Sequence, residues 1–234
     1  MRTMENEVIT WREVLQLEDL GTLQRGMNFR IKRDHSIILM SVRRGAPYVD
    51  RVLSDGITIE YEGHDVPKYK DGPNPKAVDQ PVKFPNGRLT QNGLFVQAVD
   101  SFKSGKETAE IVHVYNKITS GIWSFQGRFL LVDYNFTFVP VNKRSVFKFR
   151  LRLLEKQSAL PNSKRDLPHN RLIPTEVKVA VWRRDRGMCV QCSSKNNLHF
   201  DHDIPFSKGG SSITVDNVKL MCARHNLQKS DRIE

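Results

Sequence analysis

Short apolar runs separated by turn residues characterise the first 154 residues of the chain. In residues 146–154, apolar positions alternate with Lys148, Arg150 and Arg152, which indicates one buried face and one basic, exposed face. The predicted strands span residues 36–42, 58–61, 110–115, 123–133 and 146–154. Apolar residues at helical spacing predict helices over 10–17 and 92–102. Several short strands with few helices favour a small β-barrel over a parallel α/β sheet.

Two polar segments interrupt these patterns. Residues 63–87 are rich in Pro, Gly, Asp and Lys and predict a long surface loop. Residues 155–172 contain two prolines and no hydrophobic periodicity, which indicates a linker. The chain therefore divides into an N-terminal domain over 1–154, a linker over 155–172 and a C-terminal domain over 173–234.

The C-terminal domain has its own order of elements. Pro174, Thr175 and Glu176 mark the start of a helix. A strand is predicted over 198–202, a glycine-containing loop over 207–212, and a further helix from about 216 through 220. With the β-rich N-terminal part, this makes the chain α+β.

The charge balance points to a polyanionic partner. Lys and Arg number 37 against 26 Asp and Glu, giving a net charge of +11 and a pI near 9.7. Neutralising phosphates releases counterions, so nucleic acid is the obvious partner class, although an ordinary basic protein with solvated charges is the alternative. No apolar run approaches the roughly 18–20 residues that span a bilayer, and the first residues lack a secretory pattern. We expect a cytoplasmic protein with no membrane partner.

All three cysteines lie in the last quarter of the chain. Cys189 and Cys192 form a C-x2-C pair, and Cys222 and His225 form a later C-x2-H pair. Two such pairs supply the four ligands of a tetrahedral structural Zn²⁺ site, which would stabilise a module with a small core. The alternative is three buried thiols and a surface histidine.

The segment between and after these pairs carries further motifs. The runs FDHDIPFSKGG and DNVKLMCARHN, followed by Lys229, resemble the HNH (ββα-metal) nuclease family over about residues 173–234. The resemblance implies that His202 acts as general base, because a neutral imidazole can accept a proton from water near neutral pH. It also implies a catalytic divalent cation, Mg²⁺ or Mn²⁺, held by Asp201 and Asn226.

The same resemblance assigns three supporting positions. Asn217 corresponds to the middle asparagine, which buttresses the loop and orients the base. Arg224 and Lys229 would contact phosphate, or else lie on a solvated helix face. The chain departs from the commonest pattern at His225, which replaces a cysteine, and at Asn226, which replaces the terminal histidine and leaves the metal preference open.

The N-terminal domain carries a weaker set of motifs. The run includes SIIL at 36–39, GAPYVD at 45–50, Asp55-Gly56, YEG at 61–63 and Asp79-Gln80, and it resembles the SRA and EVE domains of the PUA superfamily. The resemblance implies a PUA-like β-barrel whose pocket accepts a base flipped out of the duplex, with Tyr48 and Tyr61 stacking on it and Asp50 pairing with the cytosine amine. Alternatively, both tyrosines are ordinary strand aromatics. Trp11 and Trp123 are predicted to belong to the core, and the alternative that the resemblance implies is an aromatic cage of the kind that EVE-type domains use.

Together the two resemblances imply a modification-dependent (type IV-like) restriction endonuclease. Its substrate would be double-stranded DNA containing 5-methylcytosine or 5-hydroxymethylcytosine, and cutting both strands with single-site modules would require a homodimer. Two other hypotheses remain open. One is an HNH nicking or homing nuclease whose N-terminal domain reads sequence or RNA, and the other is a non-catalytic DNA-binding protein whose zinc module is only a scaffold.

Overall fold

The computed structural model describes residues 5–41, 46, 48–70, 72–154, 172–204 and 210–229. The helices are α1 (Trp11–Leu17), α2 (Gln91–Lys103), α3 (Thr175–Arg184) and α4 (Ala223–Lys229). The strands are β1 (Val8–Thr10), β2 (Met27–Asn28), β3 (Ser36–Met40), β4 (Arg51–Val52), β5 (Thr58–Glu62), β6 (Glu110–Thr119), β7 (Ile122–Val139), β8 (Arg144–Leu153), β9 (Leu198–His202) and β10 (Val218–Cys222).

Strands β1 to β8 form one sheet in the order β2-β3-β6-β7-β8-β5-β4, and β1 pairs with β7 beside this path. Strands β3 and β6 are parallel, and the other pairs are antiparallel. The five predicted strands correspond to β3, β5, β6, β7 and β8, and the two predicted helices to α1 and α2. The predicted barrel is not closed within the described residues, because the outer strands β2 and β4 are two residues long and do not pair with each other.

The sheet has apolar side chains on both faces, and each face is covered by a helix. Phe95 and Val99 of α2 pack with Phe129, Phe149 and Leu151 in one core. Each such fully buried side chain contributes about 1.5–3 kcal/mol to folding. The other face packs against α1 in a second core made of Ile9, Val14, Leu20, Leu23, Ile37, Tyr115, Trp123 and Phe125. Helix α1 begins with a capping box between Thr10 and Glu13.

The C-terminal module is built on the hairpin of β9 and β10. The helix predicted over 216–220 is wrong: a single 3₁₀ turn, Val215–Asn217, leads directly into β10. Val218 and Leu220 lie opposite His202 and Phe200 in the antiparallel register. The apolar residues Val218 and Leu220 lie on either side of Lys219. This period of two is typical of a strand, and the segment pairs with β9. The helix follows as α4.

The module packs directly against the N-terminal sheet. Ile118 of β6 shares a buried core with Ile173, Val177 and Val181 around α3. The backbone N–H of Phe200 in β9 donates to the carbonyl of Asn6 at 3.1 Å, so the hairpin is hydrogen-bonded to the segment that precedes β1.

A polar contact and a boundary residue complete this interface. The buried Lys178 of α3 donates to Ser124 Oγ at 3.1 Å and also contacts Gln126 Oε1, both on β7. The predicted linker lies outside the described residues except for Leu172, which is buried in the core beneath α2 and donates to the Gly56 carbonyl at 3.0 Å.

Candidate functional site

Four candidate metal ligands converge at the base of the β9–β10 hairpin. The Sγ atoms of Cys189, Cys192 and Cys222 and a ring nitrogen of His225 lie within 4.8 Å of one another. His225 Nδ1 lies 3.3 Å from Cys189 Sγ and 3.4 Å from Cys222 Sγ, and the sulfurs of Cys192 and Cys222 are 3.8 Å apart. Tetrahedral zinc, with Zn–S near 2.3 Å and Zn–N near 2.0 Å, places sulfurs about 3.8 Å apart and sulfur and nitrogen about 3.5 Å apart. The ligand set therefore fits a zinc ion.

The surroundings of Cys189 favour its thiolate form. Burial alone would raise its pKa, but hydrogen bonds from the backbone N–H of Cys222, the His225 ring and the backbone N–H groups of Cys192 and Gln191 outweigh burial. The resulting pKa is about 6. Since the thiolate is the form that binds metals, this arrangement prepares the site for zinc.

Asp201 and His202 lie at the end of β9, where the strand leaves the module core. His202 Nε2 is 2.7 Å from Ser212 Oγ. Burial lowers the pKa of His202, and the positive charges of Lys229 and Lys178 lower it further against the opposing effect of Asp201. The imidazole is therefore neutral at neutral pH, as a general base must be.

Asn217 joins the two sides of the loop that follows β9. Its Oδ1 accepts from the backbone N–H of Ile204 at 2.8 Å, and its Nδ2 donates to the carbonyls of Ile204 at 3.2 Å and Ser211 at 3.0 Å. Gly210 is required beside this contact, because a Cβ there would lie 1.8 Å from the Ile204 oxygen. The motif residues at 205–209 lie outside the described residues.

Helix α4 places Lys229 beneath Asp201. Lys229 is only 2% exposed, and its Nζ donates to Asp201 Oδ2 at 2.9 Å and contacts the His202 carbonyl. In this position the ammonium group faces the candidate site from inside the module, whereas Arg224 is exposed. Asn226 is half-buried and three residues before Lys229, so it lies on the same face of α4, toward β9.

The donor set for a divalent cation at this place is small. Among the described residues, Asp201 belongs to no group of three or more His, Cys, Asp or Glu ligands. The candidate ligands are the Asp201 carboxylate, which is 26% exposed, and the Asn226 side chain. Oxygen ligands of this kind suit Mg²⁺, which keeps several waters and takes few protein ligands.

A cavity of about 500 Å³ opens between α1 and the N-terminal sheet. Tyr48, Asp50 and Tyr61, the three predicted pocket residues, all line it. Asp50 is 8% exposed, and its Oδ1 accepts from the backbone N–H of Glu62 at 3.0 Å. Burial raises the pKa of Asp50 to about 7. A carboxyl group that is nearly dry and aimed into a cavity is suited to hydrogen-bonding a polar ligand.

The two tyrosines have neighbours that the sequence did not predict. His64 lies between them: its ring stacks on Tyr48 with centroids 5.6 Å apart, and its Nε2 is 3.3 Å from the Tyr61 hydroxyl. Lys76 Nζ lies 4.3 Å from the centre of the Tyr48 ring, a cation–π distance. Tyr61 is fully buried, so only part of its ring faces the cavity.

Trp11 and Trp123, predicted as core residues, line the same cavity. Their rings pack against each other with centroids 5.2 Å apart, and Lys117 Nζ lies 5.8 Å from the Trp123 ring. Trp123 is also 8% exposed and part of the core under α1, so it contributes both to that core and to the wall of the cavity. No local sequence pattern distinguishes these residues, since α1 and the β6–β7 turn meet only in the folded chain.

Comparison with known proteins gives similarities of fold only. No family model and no curated protein matches the chain. Among solved structures, it is similar to the SUVH5 SRA bound to fully hydroxymethylated CG DNA (20% identity, 65% of this chain, 89% of that chain, TM-score 0.44). It is also similar to the modification-dependent TagI restriction endonuclease (17% identity, 97% and 77%, TM-score 0.42) and to the DNA modification-dependent restriction endonuclease AspBHI (14% identity, 67% and 43%, TM-score 0.48). Identities and TM-scores this low do not transfer a function.

No helix in the described part of the chain is long and apolar enough to cross a membrane.

Proposed function

We propose that the chain is a modification-dependent DNA endonuclease with an HNH active site. One observation supports this most directly: a neutral His202 and the Asp201 carboxylate are consecutive residues at the end of β9, and Asn217 fixes the loop that follows. A zinc-binding scaffold for DNA would need none of these three side chains. The net charge of +11 supports a nucleic-acid substrate.

In the proposed reaction, His202 accepts a proton from the water that attacks the phosphorus atom. The new bond forms between the water oxygen and phosphorus as the bond to the 3′ oxygen breaks. The 3′ oxygen takes a proton from solvent, which leaves 5′-phosphate and 3′-hydroxyl ends. A divalent cation bound by Asp201 and Asn226 would offset negative charge on the phosphate. Asn217 fixes the loop, and buried Lys229 holds the Asp201 carboxylate in place. Arg224, exposed on α4, is the proposed phosphate contact.

The N-terminal cavity is the proposed reader of modified cytosine, as 5-methylcytosine or 5-hydroxymethylcytosine. Its volume falls in the range of small-ligand pockets, and its walls combine aromatic rings with the Asp50 carboxyl group. A flipped base would stack on Trp11 or Tyr48, and its exocyclic amine would donate to Asp50. The Cys3His site is proposed to hold a structural zinc ion, and a homodimer is proposed to cut both strands.

The test is a cleavage assay on three matched plasmids, unmodified, methylated and hydroxymethylated at cytosine, with Mg²⁺ or Mn²⁺. The proposal expects cleavage of modified plasmid only, and loss of that cleavage in His202→Ala. Lys195→Ala, an exposed change in the same module, is the control and should cut normally. Equal cleavage of all three plasmids would show that the chain does not recognise modified cytosine. Cleavage by His202→Ala at the wild-type rate would show that the proposed active site is wrong.

A further inference from the structure

A second group of metal-ligand side chains lies in the N-terminal domain, on the face of the sheet that α1 covers. Glu18, at the end of α1, meets His35, just before β3, and His113 of β6. Their ligand atoms all lie within 4.8 Å of one another. Three distant parts of the chain thus bring one carboxylate and two imidazoles to one point, and the proposed function uses none of them.

The contacts show how closely the three groups converge on a single point. His35 Nε2 is 2.7 Å from Glu18 Oε2, and His113 Nδ1 is 2.8 Å from Glu18 Oε1. The two imidazole rings stack with centroids 3.8 Å apart, so their inner nitrogens face the same carboxylate. Glu18 is 1% exposed, while the side chains of His35 and His113 are 14% and 21% exposed. The carboxylate is therefore at the bottom of the site and the imidazoles form its rim.

A second set of contacts orients these groups. The outer nitrogen of His35, Nδ1, is 3.4 Å from the exposed Asp34 carboxylate. The Tyr115 hydroxyl donates to Glu18 Oε1 at 2.5 Å, and the edge of Phe125 packs on the His113 ring. Metal sites commonly orient their ligands in this way. A carboxylate hydrogen-bonds the outer nitrogen of a ligand histidine, and a ligand carboxylate accepts further hydrogen bonds.

We propose that Glu18, His35 and His113 form a second metal site, which takes a borderline divalent cation such as Zn²⁺ or Co²⁺. Two imidazoles with one carboxylate favour these ions over Mg²⁺ and Ca²⁺, which prefer oxygen ligands. The cation takes the place of the proton on each inner imidazole nitrogen, and that proton moves to the outer nitrogen of the same ring or, where the ring is already protonated there, to solvent. On His35 the outer N–H faces the Asp34 carboxylate, which stabilises it. Bonds near 2.0 Å place tetrahedral nitrogen and oxygen ligands about 3.3 Å apart, and the ion must lie close to the plane of each ring. Binding therefore moves each imidazole outward by about 0.5 Å and tilts the two stacked rings apart.

The position of the site indicates what a bound ion would do. It joins the end of α1 to β6, and α1 begins at Trp11, which lines the base cavity. An ion here fixes the helix that forms one wall of the cavity. Two cations lie near the site. Arg33 donates to the Glu18 backbone carbonyl at 3.5 Å and lies 3.9 Å from exposed Asp19, while Arg128, opposite His113 in the register, is exposed, so solvent screens both charges.

The test is a Co²⁺ titration of the full, tag-free chain with its Cys3His site already loaded with zinc. We expect one additional equivalent to bind and to give d–d absorption without the thiolate charge-transfer band that Co²⁺ in the cysteine site would show. Glu18→Gln and His113→Gln should each weaken this binding at least tenfold. Glu107→Gln, an exposed change with the same loss of charge, should leave it unchanged.

Two results overturn the proposal. One is the absence of an additional equivalent in the wild type at excess Co²⁺, which would show a hydrogen-bonded triad only. The other is binding that persists unchanged in folded His113→Gln, which would place the ion elsewhere. Should Glu18→Gln fail to fold by circular dichroism, His35→Gln, a change at the half-exposed rim, takes its place. Zinc content measured by mass spectrometry on the same samples checks that the Cys3His site stays loaded.

Discussion

The candidate active site and the candidate base cavity are assembled in different ways. Asp201 and His202 are adjacent in sequence, and Asn217 comes just before the partner strand β10 and holds the loop that follows His202. The cavity is lined by Trp11 of α1 and by Trp123, which lies next to the β6–β7 turn. These two residues are over a hundred positions apart in the chain. The first site is a local structure beside four candidate metal ligands, whereas the second depends on the whole N-terminal sheet.

The sharpest way to test this difference is to remove the zinc site. Cys222→Ser removes one of four ligands, and metal binding supplies apparent free energies of about 10–16 kcal/mol in comparable zinc peptides. We expect the C-terminal module to lose its fold and all cleavage activity, while the two cores of the N-terminal sheet persist and modified DNA is still bound. Zinc content, circular dichroism and DNA binding measure the three outcomes.

Lys195→Ala serves as the matched change outside the ligand set and should retain zinc. If Cys222→Ser loses DNA binding as well as cleavage, the C-terminal module and the N-terminal sheet are not independent, and the prediction is wrong.

A smaller effect is expected from His202→Ala, which leaves the module folded. Losing a general base lowers the rate by about 10²–10⁴-fold. Binding of modified DNA should be unchanged, because His202 is not one of the residues that line the cavity. Single-turnover cleavage and an equilibrium binding assay separate the two quantities. A variant that binds modified DNA tenfold more weakly would contradict the separation of the sites.

Asp50→Asn should act on the other region alone. It replaces a carboxyl acceptor by an amide in the cavity, and a mismatched hydrogen bond to a base costs about 1–3 kcal/mol. We expect the preference for modified over unmodified plasmid to fall about 5- to 150-fold, with the cleavage rate on bound DNA unchanged. Glu107→Gln, an exposed change of equal charge, is the control. A fall in the cleavage rate with unchanged preference would exclude the cavity as reader.

The last expected effect concerns stability rather than cleavage or binding, and it is a pH dependence that arises from the same residue. Burial raises the pKa of Asp50 to about 7, so the folded chain retains a proton that the unfolded chain releases near pH 4. This group's contribution to stability is present at low pH and is lost as the pH rises from about 4 to about 7. Asp50→Asn has no carboxyl group to titrate and does not lose this contribution. The unfolding free energy of the variant minus that of the wild type should therefore increase between about pH 4 and pH 7, by a few kcal/mol at most. Urea unfolding at a series of pH values measures it, and a constant difference would show that Asp50 is solvated.

Sequence patterns predicted the local features and missed those made by tertiary contact. The spacing of Cys189, Cys192, Cys222 and His225 is enough to predict a tetrahedral site, because each pair comes from one short turn. The helix expected over 216–220 is wrong, since its apolar positions are decided by pairing with β9.

Lys229 shows the same limit at a single side chain. A lysine near the end of a short helix predicts an exposed contact, but packing of α4 on β9 turns it inward to Asp201. Trp11 is similar: a tryptophan at the start of an amphipathic helix indicates a core residue, and only the placement of α1 on the sheet shows that its ring also lines a cavity. Neither outcome has a signal within a few residues of the position.

The hydrogen bond from Phe200 to Asn6 has a consequence for where the proposed enzyme would cut. Strand β9 ends in Asp201 and His202, and Asn6 leads within five residues to Trp11 at the cavity. The two ends of this short path belong to one hydrogen-bonded framework, so in the proposed enzyme the distance between the flipped base and the scissile bond would be fixed. Scission should then fall at one constant offset from the modified cytosine, and lengthening the chain between residues 155 and 171 should not move it.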